Sequence, residues 1–281
     1  FVKSAGRFYI PGSSLKGAIR SFVTKALKKD LIKHYEDALT PKDKVDPQHL
    51  SSNAEKEIFS SSYESPFRYL KISDSNFITP DEAAVYEIKV MNICGSNVKW
   101  FAGIKNGISN NVDNPEKSNS TIAEGVKPGV KVFGNIKVEK DFVDGNEVVS
   151  GLKDKIGTKV LAASPSGFLA GVLRTVAKDY IQREINFNSK YNQAQIVSEY
   201  QKLLNILNSL EENQFLIQIG FSTGYLSKTV GIFFTKTHFD KLKKVGGFSR
   251  IYSELFPKTR RIIFKNGHVW TVPGWIKVTI K

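Results

Sequence analysis

The apolar positions near the start of the chain repeat with the period of an α-helix. At i, i+4, i+7, i+8, i+11 and i+12, the residues that share one helical face are Leu15, Ile19, Phe22, Val23, Ala26 and Leu27. We therefore predict a helix over residues 13–33, with Ser13 or Ser14 as its N-cap. The polar, irregular residues 34–66 are predicted to form a connection.

The segments that follow alternate apolar and polar residues, which is typical of β-strands. Strands are predicted at "FRYLKISDSNF" (67–77), at "AVYEIKVMNI" (84–93) and within "EGVKPGVKVFGNIKVE" (124–139). The Asn-, Ser- and Gly-rich residues 105–120 are predicted to be a loop. A mixture of strands with one helix indicates an α+β domain that ends near residue 145.

The opening pattern then returns in the second half of the chain. "PGSSLKGAIRS" (11–21) aligns without gaps to "PSGFLAGVLRT" (165–175), and the two segments share a Pro, a Leu, a Gly and an Arg. The second copy also begins an amphipathic helix. Two turn-helix units at comparable places in the two halves favour a tandem, duplicated architecture.

The rest of the second half shows both helical and strand patterns. A helix is predicted at 193–210, a strand at "QFLIQIG" (214–220) and a short helix at "SRIYSELF" (249–256). The end of the chain predicts a hairpin, because two β-rich runs flank Asn266-Gly267.

The charge narrows the class of partner. The chain has 281 residues with 41 Lys and Arg against 27 Asp and Glu, a formal net charge of +14. Such an excess favours a polyanionic partner such as nucleic acid, and a Lys-rich source organism is the alternative explanation. The single cysteine, Cys94, excludes a metal site built on thiolates and fits a reducing cytosol.

Other sequence features predict a cytoplasmic protein without a bound metal or cofactor. Four scattered histidines lack metal-ligand spacing, and no run is long and apolar enough to cross a membrane. The first residue is Phe and not Met, so we expect the natural N-terminus to lie outside this sequence.

The opening turn is the first candidate binding motif. A helix N-terminus presents free N–H groups, and Gly12 would let a ligand approach the backbone closely. Lys16 and Arg20 lie one helical turn apart and could flank a phosphate path. Gly17 is a poor helix former, which indicates close packing or close approach of another backbone. The alternative is a capped helix with solvated basic side chains.

Two further motifs carry polar or basic groups. In "IGFSTGYLSKTVG" (219–231), a glycine-containing loop with hydroxyl donors could follow a nucleic-acid backbone, and Tyr225 could stack on an unpaired base. The alternative is an ordinary glycine turn. In "FPKTRR" (256–261), Lys258, Arg260 and Arg261 could contact phosphates or form a basic surface turn.

Signals for catalysis are weak in this sequence. Asp74, at a strand end, could be a catalytic base or metal ligand, but an Asp between serines more often caps its own turn. The chain shows no nucleophile elbow and no carboxylate pair at a suggestive spacing. We therefore expect no catalytic residue.

Taken together, these motifs on a basic α+β chain resemble the RAMP superfamily of CRISPR-associated proteins. "IPGSSLKGAIR" (10–20) is similar to the superfamily's "PGSSLKG" turn, and "LKISDS" (70–75) and residues 219–229 follow in the same order. The C-terminal segments "GFSTGYLSKT", "FPKTRRIIF" and "VPGWIKV" are similar to those of the terminal RAMP subunit, the fifth Csm subunit, of type III-A (Csm) effector complexes.

This resemblance implies an α+β fold of two tandem ferredoxin-like (RRM-like) RAMP domains with insertions. Residues 1–145 would form the first domain, without its N-terminal strand, and residues 146–281 the second. The implied subunit is non-catalytic, caps the backbone filament near the 3′ end of the CRISPR RNA and supports maturation of that RNA in antiviral defence. Its implied partners are CRISPR RNA, target RNA in the assembled complex, other Csm subunits and host nucleases.

The resemblance also assigns candidate RNA contacts by position. They are Gly12, Ser13, Ser14, Lys16, Gly17, Arg20, Thr223, Gly224, Tyr225 and Lys228, with Lys258, Arg260 and Arg261 from the basic cluster. In the second copy of the turn Ala170 replaces Lys16, so that copy is predicted to be structural. Two alternatives stay open: a metal-independent RNA-processing endonuclease that uses a histidine, and a repeated backbone subunit of the same assembly.

Overall fold

The computed structural model of the protein describes residues 2–4, 6–27, 32, 56, 58–61, 63–145, 147–152, 164–229, 234–244, 255 and 257–280. Its strands are β1 (Val2–Ser4), β2 (Arg7–Tyr9), β3 (Leu70–Ile72), β4 (Ala83–Cys94), β5 (Asn97–Lys105), β6 (Ile108–Val112), β7 (Ser120–Val126), β8 (Ile136–Val138), β9 (Gln214–Gln218), β10 (Thr259–Lys265), β11 (His268–Thr271) and β12 (Trp275–Thr279). Its α-helices are α1 (Gly12–Ala26), α2 (Asp141–Asp144), α3 (Glu147–Ser150), α4 (Pro165–Lys190), α5 (Ala194–Asn208), α6 (Tyr225–Lys228) and α7 (Lys236–Lys244). The predicted α+β class is confirmed.

The largest sheet joins the two halves of the chain. Its strand order is β11-β10-β4-β5-β6, and β7 also pairs with β4. Strand β10, near the end of the chain, pairs antiparallel with β4, with Thr259 opposite Asn92 and Phe264 opposite Glu87. The pairs β1–β2, β3–β8 and β9–β12 form separate two-stranded sheets.

The long helices follow the predicted apolar stripes. In α1, Ile19, Phe22 and Val23 are buried, and α1 packs against α4. Helix α5 buries Ile196, Tyr200 and Leu207, which recur at the spacing of one helical face. Helix α1 begins at Gly12 with Pro11 as its N-cap residue, so the predicted Ser13 or Ser14 cap is wrong.

Two Asn-Gly turns shape the hairpins of the large sheet. Asn266 and Gly267 have φ values of 53° and 79°, which a type I′ turn requires, and the predicted hairpin is confirmed. Asn106 and Gly107 form the same kind of turn between β5 and β6, with φ values of 51° and 77°. The predicted loop over 105–120 is therefore wrong, because a strong local turn signal lay inside its polar composition.

Other predicted elements differ in extent. Within 67–77 only Leu70–Ile72 is a strand, and a 3-10 turn over Pro66–Tyr69 precedes it. Within 124–139, β7 ends at Val126 and β8 begins at Ile136, with an irregular stretch between them. The predicted helix at 249–256 and most of the predicted connection at 34–66 lie outside the described residues.

A hydrophobic cluster among the described residues combines side chains from both halves. It contains Phe22 from α1, Met91 from β4, Leu169 from α4, Phe215 from β9 and Ile262 from β10. Because these side chains share one core, the candidate motifs are held in fixed positions relative to one another. Over the part of the chain that is described, no helix has the length and apolarity that a bilayer crossing needs.

Candidate nucleic-acid interface

The N-terminus of α1 is held by the segment that follows β3. The backbone N–H of Gly12 donates to Asp74 Oδ1 at 2.8 Å, and Ile10 exchanges two hydrogen bonds with Ser75. Asp74 therefore caps the N-terminus of α1, whereas the sequence favoured a cap on its own turn. A carboxylate at this end of the helix occupies the position that a bound anion would take.

Gly12 has a packing role in this arrangement. A Cβ atom at Gly12 would lie only 2.4 Å from the carbonyl oxygen of Ile72, so no larger residue fits. We expected a ligand to approach the backbone closely at Gly12, but the backbone of Ile72 and Ser73 fills that space. The capacity of this turn to hold phosphate consequently shifts from backbone N–H groups to the side chains beyond Gly12.

The outer face of α1 carries those side chains. Ser13, Gly17 and Arg20 are exposed at i, i+4 and i+7, and Lys16 is half-buried beside them. A Cβ atom at Gly17 would have no described atom within 4 Å, so the close packing that we expected there is not made by any of the described residues. This polar face, defined by Ser13, Ser14, Lys16, Gly17 and Arg20, is called the α1 stripe below.

The glycine-containing loop forms a tight turn before α6. Gly220, Ser222 and Gly224 have φ values of 89°, 66° and 88°, which explains the two glycines. Thr223 is buried, while Lys228 is exposed. The loop also presents Phe221, whose side chain is 65% exposed. Sequence reasoning missed Phe221, although an aromatic between two turn glycines could have signalled it.

Tyr225 lies deeper than a base-stacking role requires. Tyr225 and Trp275, both partly buried, pack against the buried pair Tyr180 and Leu226. Burial raises the pKa of the Tyr225 hydroxyl, whereas its hydrogen bond with Thr229 opposes that shift. Stacking of Tyr225 on an RNA base stays a prediction, and this packing restricts the ring surface that a base could reach.

Helix α1 and the glycine-containing loop are joined at Ser227. Ser21 Oγ donates to the Ser227 carbonyl at 3.2 Å, and the buried ammonium of Lys25 donates to the same oxygen. Burial lowers the pKa of Lys25 to about 7. The structure thus brings the first and second motifs together through the end of α1.

The basic cluster divides into one internal and two outer residues. Arg260 Nε donates to Glu184 Oε2 at 2.6 Å, and the Arg260 guanidinium lies 3.9 Å from the centre of the Phe187 ring. Burial would lower the pKa of Arg260, but the Glu184 carboxylate outweighs it and the pKa is raised. Arg260 is therefore engaged inside the fold, while Arg261 is exposed and Lys258 half-buried.

A small pocket lies where the second and third motifs meet. It is lined by Tyr180, Tyr200, Gln218, Thr223, Gly224, Tyr225, Leu226, Pro257, Thr259, Arg260, Arg261 and Pro273. Of these lining residues, Gln218 has a buried side-chain oxygen without a hydrogen-bond partner among the described atoms. The pocket wall is therefore polar, and it unites two motifs that are far apart in sequence.

The described residues include no cluster of side chains suited to bind a metal ion. Across the described ranges, no three His, Cys, Asp or Glu side chains come together in a group that could hold a metal ion. Asp74, the sequence's candidate metal ligand or base, instead accepts the Gly12 hydrogen bond.

Known proteins resemble this chain in sequence and in fold. A protein described as CRISPR system Cms protein Csm5 from Methanocaldococcus jannaschii is 25% identical over 309 aligned residues, which include all of this chain. The chain spans 64% of the length of that curated relative.

Two solved structures show the same fold. A chain of a cryo-EM structure of a Csm-crRNA-target RNA ternary complex from a type III-A CRISPR-Cas system matches with a TM-score of 0.62 and 22% identity, covering 99% of this chain and 74% of its own. The crystal structure of T. onnurineus Csm5 matches with a TM-score of 0.58 and 18% identity, covering 99% and 73%. The family model of the RAMP superfamily matches residues 1–227, and the chain therefore belongs to the RAMP superfamily.

Proposed function

We propose that this protein is an RNA-binding, non-catalytic subunit of a type III-A Csm effector complex in the cytoplasm. Its partners in this proposal are CRISPR RNA, target RNA in the assembled complex and the other Csm subunits. The similarity to Csm5 and to a chain of a Csm-crRNA-target RNA complex supports the assignment. A formal net charge of +14 fits a polyanionic partner.

The observation that carries the proposal is the α1 stripe. Lys16 and Arg20 lie one turn apart on a helix face whose other members are small or hydroxyl-bearing, so a backbone can approach closely. Because the stripe offers cations and hydroxyls without a shaped base pocket, we expect contacts to phosphates and sugars and little sequence preference. Thr223, Gly224, Tyr225 and Lys228 extend the candidate path along the loop that Ser227 attaches to α1. Arg261, which lines the pocket, and the nearby Lys258 extend the path into the basic cluster.

The finer parts of the proposal concern architecture and position in the complex. We infer two tandem ferredoxin-like units over residues 1–145 and 146–281, and the repeated turn-helix at α1 and α4 supports this duplication. Strand β10 pairs with β4, so the two units would share a sheet. We also infer that the subunit caps the backbone filament near the 3′ end of the CRISPR RNA and supports its maturation with host nucleases.

Salt-dependent binding to single-stranded RNA tests the central claim. For single strands, log K falls with log salt by about 0.7 per phosphate contact, so the double variant Lys16→Ala/Arg20→Ala should reduce the slope by about 1.4. The matched control is Lys202→Ala/Lys277→Ala, which removes the same charge from exposed positions on α5 and β12. An unchanged slope for the stripe variant, or an equal change for the control, would contradict the assignment.

Reconstitution with the other Csm subunits tests the finer claims. A capping subunit appears once per complex, which native mass spectrometry measures directly. Several copies along one RNA would instead favour a backbone subunit. Defined cuts in repeat RNA that persist in EDTA and disappear with a single histidine substitution would favour an endonuclease.

A further inference from the structure

A cluster of one cationic and two aromatic side chains lies on and next to the strand that leads into α1, with Arg7 and Phe77 exposed and Tyr9 half-buried. The guanidinium carbon of Arg7, on β2, lies 3.8 Å from the centre of the Phe77 ring. The Tyr9 ring meets Phe77 edge-on, with 6.3 Å between the ring centres and 80° between the planes. Phe77 is 41% exposed, so this contact lies on the surface and not in the core.

Strand alternation explains why these groups share one face. Phe8 is buried and bridges Ile78, whose N–H donates to the Phe8 carbonyl at 2.8 Å. Because neighbouring strand residues point to opposite faces, Arg7 and Tyr9 both lie opposite Phe8. Phe77, beside the bridging residue, meets them on that outer face.

Arg7 has unused binding capacity in this arrangement. Among the described residues, Arg7 forms no salt bridge with a carboxylate, and its guanidinium lies over the Phe77 ring. Phe77 covers one side of the planar guanidinium, and Arg7 as a whole is exposed to solvent. An ordered guanidinium plane of this kind is a surface on which an unpaired base can stack.

The cluster is continuous with the opening turn of α1. Strand β2 leads through Ile10 and Pro11 directly into the helix, and Ile10 is hydrogen-bonded to Ser75. The neighbouring Asp74 caps Gly12. The same two segments that carry Arg7 and Phe77 thus also fix the start of the α1 stripe.

We propose that Arg7, Phe77 and Tyr9 form a stacking platform for one unpaired nucleobase of single-stranded RNA, next to the phosphate path of the α1 stripe. This rests on the proposed RNA-binding function and adds a base contact to it. The platform reads the π-face of a base, so it accepts any of the four bases. Arg7 also brings a positive charge to the adjacent phosphate.

Fluorescence of 2-aminopurine tests the platform independently of overall affinity. A set of short single-stranded RNAs, each with 2-aminopurine at a different position, is titrated with the whole chain. We expect quenching at one position near the bound stripe. Phe77→Leu and Arg7→Lys should remove that quenching and weaken binding roughly fivefold to tenfold. Arg7→Lys keeps the charge and should leave the salt slope unchanged, because only planar stacking is lost.

Tyr63→Leu is the matched control, since it removes an exposed aromatic outside the cluster and should change neither readout. If wild-type protein binds RNA with a steep salt dependence but Phe77→Leu and Arg7→Lys quench normally, the platform is wrong while the RNA-binding function stands. If the two variants weaken RNA with an abasic site at the quenched position as strongly as intact RNA, Arg7 contacts phosphate only and the platform is also overturned. Absence of any RNA binding by the wild type overturns both proposals.

Discussion

The two copies of the turn-helix motif share a sequence pattern but present opposite surfaces. In the first copy Ser14 and Gly17 are exposed, whereas their counterparts Phe168 and Gly171 in α4 are buried. Lys16 is half-buried at the edge of the stripe, and its counterpart Ala170 is fully enclosed. The pattern therefore specifies how a helix starts, and the surroundings decide whether that start faces a partner or the core.

The shared arginine shows the same difference. Arg174 donates to the backbone carbonyls of Glu211, Glu212 and Gln214, so it ties α4 to the turn before β9. Arg20 is exposed, with its guanidinium 5.6 Å from the centre of the Phe67 ring. The prediction that the second turn is structural agrees with these contacts, and Arg20 keeps a surface position from which RNA could be reached.

Exchanging Lys16 and Ala170 between the two copies should change the free energy of unfolding more than any other substitution proposed below. Ala170→Lys makes the second turn resemble the first, but it places an unpaired ammonium in the core. We expect the free energy of unfolding to fall by about 3–5 kcal/mol, measured by urea unfolding followed by circular dichroism. The mirror change, Lys16→Ala, should alter stability by less than about 0.5 kcal/mol and weaken RNA binding. Native stability of Ala170→Lys together with tighter RNA binding would show that the two copies are equivalent.

The C-terminal part of α1 also differs from the matching part of α4. Lys25 is buried against the Ser227 carbonyl, whereas its counterpart on α4, Asp179, is exposed. The pKa of Lys25 falls from 10.5 in the unfolded chain to about 7 in the fold. Between these values the unfolded state binds the extra proton, so stability rises with pH through this window and is lowest at and below pH 7.

Lys25→Met removes that proton linkage. The stability of the variant relative to the wild type should fall by on the order of 1.4 kcal/mol per pH unit between pH 7 and pH 10, because only the wild type gains stability in this window. The lost hydrogen bond to Ser227 lowers the stability of the variant by a similar amount at every pH and does not change this trend. Urea unfolding at a series of pH values measures both effects. Asp179→Ala is the matched control and should show no such pH dependence. A constant difference between Lys25→Met and the wild type across this window would mean that Lys25 stays protonated in the fold.

The smallest expected effect separates stability from binding at a single position. Gly17→Ala should stabilise the protein by about 0.5–1 kcal/mol, because Gly17 sits in a helix interior with open space around it. If an RNA backbone approaches this face, the same methyl group should weaken RNA binding. Ser198→Ala on the exposed side of α5 is the control, with a helix-propensity gain and unchanged binding. Unchanged RNA affinity in Gly17→Ala would remove Gly17 from the proposed contact set.

Local patterns account for the elements that the sequence predicted well. The apolar faces of α1 and α5 and the hairpin at Asn266-Gly267 each depend on residues close in sequence. Spacing and turn chemistry are therefore enough to predict them. The same logic applied to Asn106-Gly107 would have predicted β5 and β6. That hairpin was missed because its polar composition outweighed the turn signal.

The roles of individual site residues were less predictable, because they depend on contacts between residues that are far apart in sequence. Sequence alone determined the amphipathic helices, the repeated turn-helix motif, the positive charge and the family resemblance, because all of these are carried by composition and short-range spacing. Long-range packing sets three contacts that short-range patterns do not reveal: Asp74 caps α1, Arg260 pairs with Glu184 inside the fold, and Arg7 lies over Phe77 at the surface. Each of these contacts joins residues more than sixty positions apart, and packing of the shared core sets which of them meet.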